Sequence, residues 1–374
     1  MEYTPKSVMD MIQLMENSIR LIKQVELTHK GLGVGILFVN LCAFAGVSLL
    51  LVGEKGEGKT RVIKSTRPYG YNSENIFSFD TTTMKEIIQK IGIKDSQSLY
   101  VKIEDFSTLS AHHREIFLTW FSKIITDHNF THSYGVGNND IEIKITNCDL
   151  TICVGITPMK YAKLTQENEY WESIASDRFL KFLFLNPIRK KSLEMNPQYQ
   201  FSPVSSGDSF VAETDTSFNI TNKLLFRQIT RLRTILYSRK LIKAYCRYEG
   251  YEKITMRNEL EFKKLFEPYL RAIPDLTYIQ NLEDNTNIAI GAIRLLSFVC
   301  DSVARDEPTT LTAMTETFGV YNKLQHSDRY LETLRKHIQI LTNHGLITYE
   351  TIDNDIIFHL GEKLQKYFSW YRGL

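Results

Sequence analysis

Eight residues, Gly53-Glu54-Lys55-Gly56-Glu57-Gly58-Lys59-Thr60, fit the pattern G-x-x-x-x-G-K-[ST]. Each part has a physical task. The glycines let successive backbone N–H groups turn inward and form an anion nest. A helix that begins near Lys59 and runs through Arg61 aims its positive end at the same anion. Lys59 reaches outer phosphates, and the Thr60 hydroxyl can ligate Mg²⁺. The spacing therefore predicts ATP with Mg²⁺ as the bound cofactor. Glu54 and Glu57 would repel phosphates unless they turn away, and Lys55 offsets part of that repulsion.

Hydrolysis needs a second acid at the end of another buried strand. "SLYVKIEDFSTLS" supplies one: Leu99 to Ile103 reads as a strand, and Glu104 and Asp105 follow it. "TLSAHHREIFLTWFSKII" then reads as an amphipathic helix with Ser110 as N-cap. His112 and His113 are adjacent on that helix, so they point apart and make a poor metal pair.

The chain that must position these groups has 374 residues, 43% hydrophobic and 24% charged, which suits an ordinary folded protein of two or three domains. A net charge of only +2 excludes strong global attraction to nucleic acid or membrane, so any basic surface is local. The five cysteines are odd in number and lack C-x-x-C spacing, which predicts a reduced, cytoplasmic protein without structural zinc. The first 24 residues mix charge and apolar positions at helical spacing and are not a signal peptide. From Gly31 to Gly53 there is no charge, a length that could span a bilayer. The rival expectation, preferred here, is a buried helix from about Val34 to Phe44 and a buried strand from Val47 to Val52, punctuated by Gly46. On that reading the protein has no membrane partner.

The phosphate loop between a strand and a helix, followed by the acidic strand end, resembles the AAA+ ATPases. In that family an apolar strand ends in Asp-Glu, whereas this chain has Glu-Asp. By resemblance Glu104 takes the metal-side place and Asp105 the water-activating place. "NIFSFD" resembles the next strand, "TTTMKEIIQKIG" its helix, and "IEIKITNCDLTICVGITP" a hairpin running into a central strand. Thr157 then matches sensor 1, which contacts the outer phosphate or attacking water. "SIASDRFLKFLFL" resembles the segment carrying the arginine finger, with Arg178 as candidate. A finger acts on a neighbour's nucleotide, so the resemblance implies a ring or filament. The expected fold is α/β, a parallel-sheet core over residues 31–194 after a helical segment, 1–30.

Residues 195–217 are rich in Ser, Pro, Gly and acids and read as a linker. Between Lys223 and Lys264 there are twelve Lys/Arg against four Glu, with apolar residues at helical spacing. Residues 218–282 resemble the helical lid of minichromosome-maintenance-like members. Arg233, or Arg231, would be sensor 2, touching the nucleotide. From 283 to 374 the order is helix, helix, turn, helix, then two strands joined at Asp353-Asn354, which is the winged-helix order. Arg329, Arg335, Lys336 and His337 would be available to double-stranded DNA.

These resemblances imply an ATPase that remodels DNA or loads replication machinery, of viral, plasmid or archaeal type. The alternative is a nucleotide-dependent oligomeric switch or scaffold whose winged helix binds a protein partner. The reversed Glu-Asp order favours the alternative.

Overall fold

A computed structural model describes residues 15–79, 98–106, 111–136, 139–158, 160–161, 176–185, 199, 201–202, 218–226, 228–283, 286–318 and 328–373. The expected helix over 81–92, the Ser110 cap, the turn at Gly319 and nearly all of the 195–217 linker lie outside these residues.

Helix α1 (Glu16–Glu26) buries Ile19, Ile22 and Val25 at helical spacing. Its first N–H groups, which no helical carbonyl can accept, meet a carboxylate from far along the chain: Glu249 accepts from Asn17 N at 3.0 Å and Ser18 N at 2.9 Å. Helix α2 (Gly33–Phe44) is buried all round from Gly33 to Ala43, as a helix without a polar face must be. Gly46, at φ +63°, then turns the chain into β1 (Leu49–Val52). The uncharged stretch is thus a helix and a strand. Among the described residues no helix is long and apolar enough to cross a membrane.

After β1 come α3 (Lys59–Ser65), β2 (Ile76–Phe79), β3 (Ser98–Ile103), α4 (Ala111–Asp127), the antiparallel pair β4 (Phe130–Val136) and β5 (Asn139–Ile145), β6 (Asp149–Ile156) and β7 (Leu180–Leu183). Five of these strands form a parallel sheet in the order β2-β3-β6-β1-β7. All four residues of β1 are buried, the continuous apolar pattern of a strand covered on both faces. Parallel pairing puts the ends of β1, β3 and β6 on one edge, where α/β sheets bind ligands.

Among the described strands β7 is an edge, and a side chain closes it. Gln228 Oε1 accepts the Lys181 N–H at 2.8 Å, and Gln228 Nε2 donates to the Lys181 carbonyl at 3.0 Å. The same amide reaches the Leu270 carbonyl at 2.6 Å. Lys181 Nζ donates to the Gln228 carbonyl at 2.7 Å, and burial pulls its pKa down to about 7.

The next helices are α5 (Asn219–Leu225), α6 (Arg231–Glu249) and α7 (Met256–Glu283). Gly250, at φ +83°, ends α6, and Tyr251 N returns to the Cys246 carbonyl at 2.8 Å. Thr255 and Asn258 cap α7 reciprocally. Helix α7 lies against β7, where Tyr269 stacks on Phe182 at 4.7 Å and Phe38 of α2 stacks on the same ring at 4.7 Å.

The C-terminal elements are α8 (Thr286–Arg305), α9 (Leu311–Phe318), α10 (Asp328–Asn343), β8 (Ile347–Ile352), β9 (Asp355–Leu360) and α11 (Glu362–Arg372). Thr310, between α8 and α9, bridges Ile357. Asp353 and Asn354 both have positive φ, +49° and +67°, as a two-residue hairpin turn demands. The expected order of helices and hairpin is present. Helix α11 adds an unforeseen return to the start of the chain: Tyr371 O–H donates to Glu26 at 2.6 Å and accepts the Gly33 N–H at 3.2 Å.

Candidate functional site

The loop from Gly53 to Gly58 joins β1 to α3. Gly56 and Gly58 have φ +82° and +102°, the left-handed region where a Cβ is strained. At Gly53 an added Cβ would stand 2.4 Å from the Glu57 carboxylate and 3.1 Å from the Phe184 carbonyl. Lys59 closes the loop on itself, its Nζ donating to the Gly53 and Glu54 carbonyls at 2.6 Å each.

Both loop carboxylates are turned to protein partners. Glu57 is 4% exposed and accepts the Glu54 N–H at 2.6 Å. Burial pushes its carboxyl pKa up, toward the neutral form, against the opposing pull of Lys59. Burial pushes the Lys59 ammonium the other way, opposed by Glu57, Glu54 and Asp105. The Glu54 carboxylate meets Arg294 of α8, with Nε 3.3 Å from Oε1.

A cavity of about 310 Å³ lies over this loop. Lys55, Gly56, Gly58, Lys59, Thr60 and Arg61 line it, joined by Glu104 and Asp105 from the end of β3 and Thr157 from the end of β6. Three separate segments of the sequence therefore converge as expected. Gly155 permits part of this, since a Cβ there would lie 2.3 Å from the Glu104 carbonyl. The two acids differ in surroundings. Glu104 is buried and its carboxylate is 3.1 Å from Lys64 Nζ. Asp105 is half-buried, and its charge acts on Lys59. Among the described residues there is no cluster of three His, Cys, Asp or Glu able to hold a metal.

Two expected nucleotide residues lie at the other edge of the sheet. Arg178, in the turn before β7, donates through Nε to Thr126 Oγ1 at 2.8 Å and to the Ser122 carbonyl at 3.3 Å. Arg233 pairs with Asp177 at 2.7 Å and lines a cleft with Gly46, Ser98 and Asp149, where the strands begin. Strand β6 is eight residues long, roughly 25 Å. The expectation that Arg233 touches its own chain's nucleotide is therefore corrected, and Arg231, at the start of the same helix, goes with it. The sequence shows a basic helix but not where it docks, and α6 docks beside the amino ends of the strands. Arg294 of α8, by contrast, does reach the glycine loop, through Glu54. It sits in an apolar helix without a motif, so no sequence signal marked it.

In α10, Arg335 is exposed and Lys336 is paired with Glu332 at 3.5 Å. The side chain of Arg329 is outside the described residues. His337 is corrected: it is 3% exposed, on the inner face with Leu334, Ile338 and Leu341, and cannot meet DNA. Among the described residues neither of its ring nitrogens has a hydrogen-bond partner, and burial pulls its pKa down to about 4. The ring fills the space left by Gly291 of α8, where a Cβ would come within 1.9 Å of it.

No protein-family model matches the chain. No curated protein matches it either. Among solved structures, an A-form apo structure of the C-terminal region of NrS-1 covers 92% of this chain and 75% of that one, at 14% identity and a TM-score of 0.24. A second structure of that region covers 96% and 79%, at 11% identity and a TM-score of 0.26. Likeness at this level carries no conclusion about fold or chemistry.

Proposed function

We propose that this chain is a P-loop ATPase of AAA+ type with a C-terminal winged helix, acting on DNA to remodel it or to load replication machinery. The carrying observation is that Lys59, Thr60, Asp105 and Thr157 border one cavity above a left-handed glycine loop. The strand order and the placement of the loop at a carboxyl edge support the same reading.

The fit to a nucleotide polyphosphate is local and specific. Backbone N–H groups of the loop cradle phosphate oxygens, and Lys59 exchanges its two carbonyl partners for them. A bound Mg²⁺ would supply charge neutralisation on those oxygens, held by the Thr60 hydroxyl and an acid at the end of β3. Asp105, whose charge acts on Lys59, is the acid that stands beside the phosphates in this reading. Thr157 orients water or the outer phosphate. Arg178, at the opposite edge, would serve a neighbouring subunit in a ring or filament. With His337 buried, Arg329, Arg335 and Lys336 on α10 remain the residues proposed for DNA.

The pairing of Glu104 with Lys64 also favours a second reading, a slow nucleotide-dependent switch that binds a protein partner. Steady-state ATP hydrolysis with and without double-stranded DNA, beside Lys59→Ala, decides between them. A several-fold rise on DNA that Lys59→Ala abolishes supports the DNA-acting motor. ATP binding with negligible, DNA-indifferent hydrolysis supports the switch. Failure to bind ATP removes both.

A further inference from the structure

A cavity of about 270 Å³ opens between α7, the turn from α10 into β8, and α11. Its floor is apolar, made by Pro268, Leu346, Leu364 and Tyr367. Its walls are cationic. Lys264 and Arg271 come from α7, Lys363 and Lys366 from α11, with His344 between them. Glu267 is the one carboxylate of the lining, against four permanent cations, in a chain whose total net charge is +2.

Some of these cations are already engaged. Lys366 pairs with Glu362 at 2.5 Å, and Arg271 donates to the Lys223 carbonyl at 2.7 Å. Lys264 instead sits 5.6 Å from the centre of the Trp370 ring. Burial lowers its pKa with no carboxylate opposing the shift. Among the described residues Lys264 and Lys363 form no ion pair. Like charges gathered over an apolar floor are unfavourable by themselves, and a bound carboxylate would offset that cost.

The size and shape narrow the ligand. The space is below that of pockets for drug-sized molecules, and it suits a single anchoring side chain. A DNA duplex offers a broad convex surface whose apolar group, the thymine methyl, lies inside the major groove and not where it could fill the floor. We propose that this cavity docks a short acidic peptide segment of a partner protein, one aliphatic or aromatic side chain on the floor and flanking carboxylates on Lys264 and Lys363. Such an occupant would join α7 to α11. Such docking requires no nucleotide.

The test is selection from a random heptapeptide phage library on the full chain, then anisotropy titration of the enriched peptides. Sequences carrying at least two carboxylates beside Leu, Ile or Phe are expected. Their affinity should fall at least tenfold in Lys264→Glu and in Lys363→Glu, and stay unchanged in Arg335→Glu. Lys363 is exposed, so its variant guards against misfolding around Trp370. Absence of an acidic consensus, or affinity indifferent to both substitutions, overturns the proposal. If a random-sequence duplex rather than any peptide loses affinity in Lys363→Glu, the cavity is a nucleic-acid contact and the peptide assignment falls.

Discussion

Arg294 of α8 and Glu54 of the Gly53–Gly58 loop form an ion pair, Nε to Oε1 at 3.3 Å, in which each side chain is 18% exposed. A C-terminal helix thereby holds one acid of the loop in place. Arg294→Ala should free the Glu54 carboxylate beside the phosphate site and weaken ATP binding about three- to tenfold. Adding Glu54→Gln should restore most of the loss. Titration of a fluorescent ATP analogue reads both, and an affinity unchanged in Arg294→Ala would show that the pair does not bear on the site.

Glu57 supplies a pH dependence. Its folded pKa is raised by burial, so it is neutral at neutral pH and ionises as the pH rises further. ATP affinity of the wild type should therefore decline above neutrality, while Glu57→Gln holds its affinity across the same range. Parallel curves for the two proteins would contradict the buried neutral carboxyl.

The two acids at the end of β3 should separate under mutation. Asp105→Asn should lower kcat by about a hundredfold or more, because it removes the charge beside Lys59. Glu104→Gln removes a buried partner of Lys64, and should act more on stability, by about 1–3 kcal/mol, than on turnover. Thermal melts and single-turnover hydrolysis on both variants measure the split; the reverse ranking would return Glu104 to the metal side.

His337 ties C-terminal stability to acid. Its folded pKa of about 4 lies below the ordinary value near 6.5, so the unfolded chain takes up the proton first. Stability should fall as pH drops from about 6.5 toward 4, by about 2 kcal/mol between pH 7 and 5, with little further loss below 4. His337→Leu should flatten this slope in urea unfolding. Gly291→Ala should destabilise by pressing on the same ring, and His337→Ala should relieve part of that clash. A slope that survives in His337→Leu would assign it to another group.

What the sequence made legible was local. The glycine loop needs residues at fixed spacing within one turn, and so do the Asp353-Asn354 hairpin and the break at Gly46. Each was readable because its backbone constraint lies inside a few residues. The convergence of Glu104, Asp105 and Thr157 on the loop followed from strand and helix alternation. The misreadings all concern which way a helix faces after docking. Arg233 and Arg294 look alike as arginines at helical spacing, yet α6 packs at one edge of the sheet and α8 at the other. His337 belongs to a run of polar residues, Arg335 to His337, and only the apolar stripe through Leu334, Ile338 and Leu341 would have shown it turning inward. Gly155 carries no signal, because the carbonyl it admits belongs to a distant strand.

The Gln228 amide on Lys181 also limits how copies of this chain can join. A bare edge strand is a template on which another chain can add a strand of its own, and repeated addition leads to fibrils. At the centre of β7 both outward peptide groups are already taken by one side chain. A second copy brought to this border would have to meet it through side chains and loops rather than by extending the hydrogen-bonded sheet. Exchange of Gln228 for alanine would leave the Lys181 N–H and C=O without that partner and bare the centre of the template.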